Sequence, residues 1–284
     1  MTFAEIYRLV FVELMHSPDL GISCRGLKIS REIVNAAKEI EIHARQVSIF
    51  SHPTHRVIPI KFALAELCYI LAGRFDLQSI ASYNKAMANY SDDGLTIGGS
   101  YGVRLDGQLD KLIERLEKDP QTRQACAAIY SKEDCLSKHT HLPCNVFLQF
   151  MNRERLLYMI VTSRSSDFVT GFSIDTFHWQ AMLIMMANEL NLIPSTLYYN
   201  IGSLHIYSAD VPIVEQWKIG HPYVDYRLTF PLKLSHAITR CKKHFEGGMA
   251  VGDMAQLLGL DGDALELVDE LEMMFTKYRN KLTR

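Results

Sequence analysis

Apolar residues fall at helical spacing in TFAEIYRLVFVEL, which predicts a helix at the start of the chain. The stretch from Arg25 to about Ile60 is mixed, and KEIEIHARQVSIF alternates as a half-buried strand does. FALAELCYILAG reads as a buried helix stopped at Gly73, and LDGQLDKLIERLEKDP as an amphipathic helix stopped at Pro120. Short β-like runs come next: ACAAIY, NVFLQFMN and RLLYMIV, with NRER as a hairpin turn between the last two. DTFHWQAMLIMMANELNL predicts a long helix, STLYYNIGSLHIYS a strand bent at Gly202, and VPIVEQWK another helix. After Pro222 the pattern changes, and the chain from His236 onward reads as wholly helical. There is no internal repeat, low-complexity segment or unstructured linker. This order of elements predicts one α+β domain spanning 1–284, with a twisted mixed sheet, flanking helices and a helical C-terminal tail.

Composition narrows the function classes. Of 284 residues, 48% are apolar and 22% charged, an ordinary globular balance with enough length for a real core. A formal net charge of -2 gives no general attraction for nucleic acid, so a bound anion is expected in a local pocket. Cys24, Cys68, Cys126, Cys135, Cys144 and Cys241 show no CxxC spacing, and the start lacks a secretory pattern. A reduced, cytoplasmic chain is expected. The longest apolar stretches carry charges and fall short of the roughly 18–20 residues of a membrane span, so none is expected.

Spacing alone yields little chemistry: no glycine-rich phosphate loop, no zinc-ligand pair and no GxSxG turn, hence no metal expected. The puzzle is SRSSDFVTGFSID, residues 163–175. Asp167 has serines and an arginine near it, whereas Asp175 closes a largely apolar run, where a buried carboxylate needs a partner, a proton or a ligand. One reading of Asp175 is an N-cap for the helix that begins TFHWQ.

Six short segments in order, AEL (65–67), SYG (100–102), DPQTR (119–123), LPCN (142–145), RSSDFVTGFSID (164–175) and GSLHIYS (202–208), resemble the thymidylate synthase superfamily. Within it the chain is most similar to the deoxycytidylate (dCMP/CMP) hydroxymethylases. The match covers about 20–220 and leaves the tail, about 221–284, as an extension. This resemblance implies a homodimer that binds a pyrimidine nucleoside monophosphate and takes 5,10-methylenetetrahydrofolate as co-substrate.

Residue by residue, it implies that Cys144 is the nucleophile that adds to C6 of the pyrimidine, with Arg164 beside it favouring the thiolate. Arg123, Arg164 and Ser165, with Arg25 as a fourth member, match the phosphate site. Arginine suits that role because its planar fork donates paired hydrogen bonds to a dianion. Arg123 is implied to reach into the neighbouring subunit. Glu66 matches the glutamate that handles protons and orders water near C5; burial would raise its pKa toward neutrality. His205 and Tyr207, two apart on a strand, match the pair that binds the sugar hydroxyl. Tyr101 and Gln149 match positions lining the site, and Asp167 and Gly171 positions that contact the folate.

Asp175 then has a use. Uracil-specific synthases have asparagine there, and cytosine reverses the pattern of donors and acceptors: a carboxyl group takes the amino hydrogen and shares a proton with N3. The resemblance therefore implies cytosine as the base, probed by Asp175, which also stabilises charge on the ring as Cys144 adds. Three departures from the synthase pattern bear on the reaction. SIASYNKAMANYSDD lacks the tryptophan that synthases place after the motif glutamate, PCN stands for PCH, and Gln124 replaces a second arginine. A smaller residue leaves room for water, which favours hydroxymethyl transfer over reductive methylation. A methylating synthase, or a nucleotide-binding dimer without catalysis, are the other readings.

Overall fold

The computed structural model describes residues 1–24, 27–51, 58–217, 223–246 and 254–282. Arg25 lies outside them. In chain order the elements are α1 (Phe3–His16), β1 (Ile22–Cys24), β2 (Leu27–Glu41), β3 (Gln46–Ser51), α2 (Ile60–Leu71), α3 (Leu77–Ala81), α4 (Tyr101–Leu105), α5 (Gln108–Lys118), β4 (Cys126–Ala128) and α6 (Lys132–Leu136). Then come β5 (Asn145–Arg153), β6 (Leu156–Ser163), β7 (Ser166–Asp167), α7 (Gly171–Glu189), β8 (Ile193–Tyr207), α8 (Val211–Val214), β9 (Val224–Thr229), α9 (Leu234–Glu246), α10 (Met254–Leu257) and α11 (Asp263–Leu282).

The main sheet runs β1-β2-β8-β6-β5-β4, with β7 also on β8. Most pairs are antiparallel, but β6 and β7 lie parallel to β8, so the sheet is mixed, as expected. The NRER turn is a tight hairpin in which Glu154 and Arg155 take positive φ of 53° and 67°. Gly202 is where β8 changes neighbour from β6 to β7. Buried positions on β8 alternate at 197, 199 and 201 before it and run together at 204, 205 and 206 after it, so the alternation breaks at the predicted bend. A Cβ at 202 would sit 2.7 Å from the Arg164 carbonyl oxygen, so glycine permits that crossing.

Other expectations change in detail. KEIEIHARQVSIF is two strands: it breaks at Ala44 and Arg45, both at positive φ, and β3 pairs with β9 in a second sheet. Alternation continues across the break, which hides it. VPIVEQWK gives only the single turn of α8. The chain after Pro222 begins not with a helix but with β9, and α9–α11 come after it. These last helices pack on α2.

Helix α7 organises the core. Residues 172–187 are buried throughout, because α7 lies on one face of the main sheet with α2 and β3 around it. Burying Phe177, Trp179, Met182, Leu183 and Ile184 contributes about 1.5–3 kcal/mol per side chain, which outweighs the cost of carrying polar groups on the same helix. Those polar groups each find a partner. Gln180 accepts from Ser48 N at 3.0 Å and donates to its carbonyl, His178 meets the Ala63 carbonyl at 2.9 Å, and Asp175 reaches β5 and β8. No helix among the described residues is long and apolar enough to cross a membrane.

Candidate functional site

Cys144 ends the loop that leads into β5, and Arg164 comes directly after β6, whose end pairs with the start of β5. The backbones are tied by Arg164 N donating to the Cys144 carbonyl at 2.8 Å and by Ser163 Oγ donating to the same carbonyl at 2.9 Å. Arg164 then wraps the loop: Nε donates to the Pro143 carbonyl and Nη2 to the Leu142 carbonyl, both at 3.0 Å. That leaves Nη2 3.8 Å and the Ser165 hydroxyl 3.7 Å from the Cys144 sulfur. A cation and a hydroxyl donor therefore face a half-buried thiol. Arg164 Nη1 also donates to Ser165 Oγ at 3.2 Å, so the three residues that the sequence linked are one cluster.

Asp175 does not cap α7. The helix starts four residues earlier, with Thr170 at its N-cap, and the carboxylate beside that end is Asp167, which accepts from the backbone N–H groups of Val169 (3.0 Å), Thr170 (2.7 Å) and Gly171 (3.4 Å). Asp175 is 9% exposed and points toward the sheet. Its Oδ2 accepts from Asn145 Nδ2 at 2.9 Å and from the Tyr199 hydroxyl at 3.2 Å, and the Tyr101 hydroxyl also donates to the carboxyl. Tyr199 in turn reaches Asn145 Oδ1 at 3.1 Å. Burial raises the Asp175 pKa to about 6, and the three donors hold it from going higher. Tyr101 and Tyr199 both feel the charge of Asp175 and of Cys144, which places acid and thiol around the same two rings.

Glu66 joins them from α2. Desolvation, then the charge of Asp175, raises its pKa to about 8, although its side chain keeps 24% of its surface open. His178, one turn along α7 from Asp175, lies 3.8 Å from Glu66 Oε2. Its burial lowers its pKa to about 4, so the imidazole is neutral at pH 7. Tyr101 is held by a close helix approach: a Cβ on Gly102 would lie 2.6 Å from the Arg74 carbonyl, and the Tyr101 ring stacks on Trp179 at 5.9 Å.

The remaining expected residues group elsewhere. His205 and Tyr207 are edge to face at 4.7 Å on β8 beyond the bend, with His205 beside Ser203, whose hydroxyl donates to Glu32. Gln149 Nε2 donates to the Arg123 carbonyl at 2.7 Å, which joins these two to each other at the β4–β5 edge, with the Arg123 side chain exposed. Gly171 begins α7 against Ser166. Sequence reasoning missed Asn145 as a partner of Asp175, and missed Tyr199 and His178 altogether. Their signal was faint: a polar residue beside Cys144, and single polar groups within apolar runs.

The thymidylate synthase family description matches residues 28–235. A deoxyuridylate hydroxymethyltransferase of Bacillus phage SP01 is 33% identical over 186 residues, covering 57% of this chain and 49% of that protein. A second protein of that name, from Pseudomonas phage M6, is 34% identical over 117 residues, 39% of this chain and 33% of its own. The chain thus spans about half or less of these two relatives. Thymidylate synthase from T4 phage superposes with a TM-score of 0.63 at 19% identity, covering 76% of this chain and 81% of that one. Thermostable thymidylate synthase A from Bacillus subtilis gives 0.66 at 17%, covering 79% and 86%. By its sequence match over 28–235 and by a fold shared with solved synthases, the chain belongs to the thymidylate synthase family.

Proposed function

We propose that the protein is a pyrimidine nucleotide 5-hydroxymethyltransferase that acts on a cytidine monophosphate, dCMP before CMP, with 5,10-methylenetetrahydrofolate as co-substrate. The observation that carries this reading is a buried carboxyl and a thiol set around the same pair of tyrosines. Cys144 sulfur adds to C6, which makes C5 nucleophilic toward the methylene carbon of the co-substrate. Asp175 takes the N4 amino hydrogen on one oxygen and shares its own proton with N3 through the other, so it offsets charge that grows in the ring. Glu66, protonated near neutrality, hands protons to and from C5 and its water. Loss of the C5 proton and of tetrahydrofolate leaves an exocyclic methylene. Water adds to that carbon, and expulsion of the Cys144 sulfur from C6 restores the ring double bond.

Arg164, Ser165 and Arg123 would hold the phosphate, with Arg25 as a fourth, and His205 and Tyr207 the sugar. Tyr101 and Gln149 line the nucleotide pocket. Asp167 and Gly171, at the start of α7, fit the folate side because the Asp167 carboxylate already fixes that helix end. A homodimer, with Arg123 crossing to the partner, is supported by the face of the sheet turned away from α7. Phe147, Met151, Tyr158, Ile160 and Tyr198 all stand half-buried there, and Tyr158 stacks on Tyr198 at 6.3 Å. We infer one domain for 1–284, because α9–α11 pack on α2, the helix of Glu66. Thiol chemistry at Cys144 suits a reducing, cytoplasmic setting.

The names of the phage relatives favour a second reading, deoxyuridylate as the substrate. Trapping separates the two. With methylenetetrahydrofolate, 5-fluoro-dCMP should leave a covalent adduct on Cys144, since fluorine at C5 blocks the proton loss. An adduct with 5-fluoro-dUMP and none with 5-fluoro-dCMP overturns cytosine; no adduct with either leaves a nucleotide binder without catalysis.

A further inference from the structure

Glu66 has to exist both with and without its proton if it is to pass protons to and from C5. The protonated form is provided for, because burial and the charge of Asp175 hold the proton on. The ionised form is not: no N–H or O–H among the described residues donates to the carboxyl as it stands. What faces it is His178. This side chain is wholly buried on α7, and its Nε2 lies 2.9 Å from the Ala63 carbonyl oxygen and 3.8 Å from Glu66 Oε2. A carbonyl oxygen only accepts, so Nε2 carries the hydrogen, while Nδ1 has no partner among the described residues and stays bare. Ala63 and Glu66 stand three apart on α2, so both acceptors lie on the helix face that this N–H meets. The Glu66 contact is too long for a hydrogen bond, and about 1 Å of side-chain movement closes it.

We propose that His178 is a positioning residue for Glu66: its Nε2–H, docked on the Ala63 carbonyl, is shared with Oε2 once Glu66 has released its proton. This deepens the reading of Glu66 as the proton-handling group and rests on it. The chemistry of the ring suits the task. An imidazolium at this distance would favour the carboxylate outright and empty the acid, whereas a hydrocarbon would leave the carboxylate with no donor. An imidazole that burial keeps neutral does neither. The other groups whose charge acts on Glu66 are Asp175 from α7, Tyr69 from α2 itself and Tyr101 from α4. Burial pushes both tyrosines above their ordinary range, and Asp175 titrates at about 6, so the step at about 8 belongs to Glu66.

His178→Phe keeps a buried ring and removes the donor; His178→Gln keeps an N–H close to the place of Nε2. The first readout is the Glu66 13C-carboxyl titration in the nucleotide-free protein, assigned by its loss in Glu66→Gln. Loss of one hydrogen bond to a charged group should move it up by about one to two pH units in His178→Phe, with a smaller move in His178→Gln. The limb of kcat for dCMP that follows Glu66 should move with it, while KM stays within about twofold, because His178 does not touch the nucleotide. A lowered Tm with an unmoved Glu66 titration overturns the proposal and leaves His178 as a pin between α7 and α2. The second readout needs no variant. In the wild-type protein the 15N resonance of His178 Nε2 should shift in step with the Glu66 titration, while Nδ1 stays in the range of an unprotonated nitrogen. An Nε2 signal that is flat between about pH 6 and 9 overturns the proposal whether or not the variants fold. If the wild type turns over no pyrimidine nucleotide, the proton-handling reading of Glu66 fails, and the two titrations still decide whether His178 meets the carboxylate.

Discussion

Two aspartates with many donors behave in opposite ways. Asp93, in the exposed turn after residue 90, accepts from the backbone N–H groups of Leu95 (2.8 Å) and Thr96 (2.7 Å), the Thr96 hydroxyl and the Ser91 hydroxyl, and these hold its pKa well below the usual carboxylate range. Asp175, on the buried floor formed by α7, accepts from three donors yet rises to about 6. Donor number is similar, so burial decides the sign. The turn therefore uses a carboxylate as a structural clasp, whereas the floor keeps one near its titration point, where binding a ring can change its proton. Glu66 belongs with the floor.

Removing the nucleophile should give the largest contrast. Cys144→Ala should lower turnover by about 10³-fold or more while nucleotide binding, measured by calorimetry, stays within about threefold. Asp175→Asn should come next, with the dCMP:dUMP ratio of kcat/KM falling by about 10²-fold or more, since an amide presents the donor that uracil needs. An unchanged ratio would remove the floor's claim to base choice.

Glu66 sharpens the comparison through pH. Its folded pKa of about 8 lies above the ordinary value of 4.5, so the folded state holds more proton between those values and stability falls as pH rises through that window. Glu66→Gln should lose about 10²-fold in kcat and show a shallower decline in Tm between pH 6 and 9 than wild type. A decline as steep as wild type would mean that Glu66 is not the titrating group. The smallest effect is expected at the turn: Asp93→Ala should lower Tm by a few degrees and leave the dCMP:dUMP ratio where it was. A changed ratio there would break the division between clasp and floor.

Much of the architecture was written in periodicity. Long runs with one environment, such as α1, α2, α5 and the strands β5 and β6, came through because one face or both meet the core along their whole length. Local turn chemistry was harder: the break at Ala44–Arg45 uses residues that do not announce positive φ, and β9 depends on β3, a partner far away in sequence. The Cys144–Arg164–Ser165 cluster was legible through short ordered segments. Asn145 was visible only as a departure, because its meaning depends on Asp175 and Tyr199, which reach it from a different helix and strand. A helix start four residues earlier than expected put Thr170, not Asp175, at the N-cap and left Asp175 available to the pocket.

The most direct test of the central claim is product analysis after incubation with methylenetetrahydrofolate and dCMP, dUMP or CMP in turn. A cytidylate hydroxymethyltransferase should add a hydroxymethyl group to dCMP, read by mass, and release tetrahydrofolate. A methylated product with dihydrofolate, or a product from dUMP alone, would contradict it.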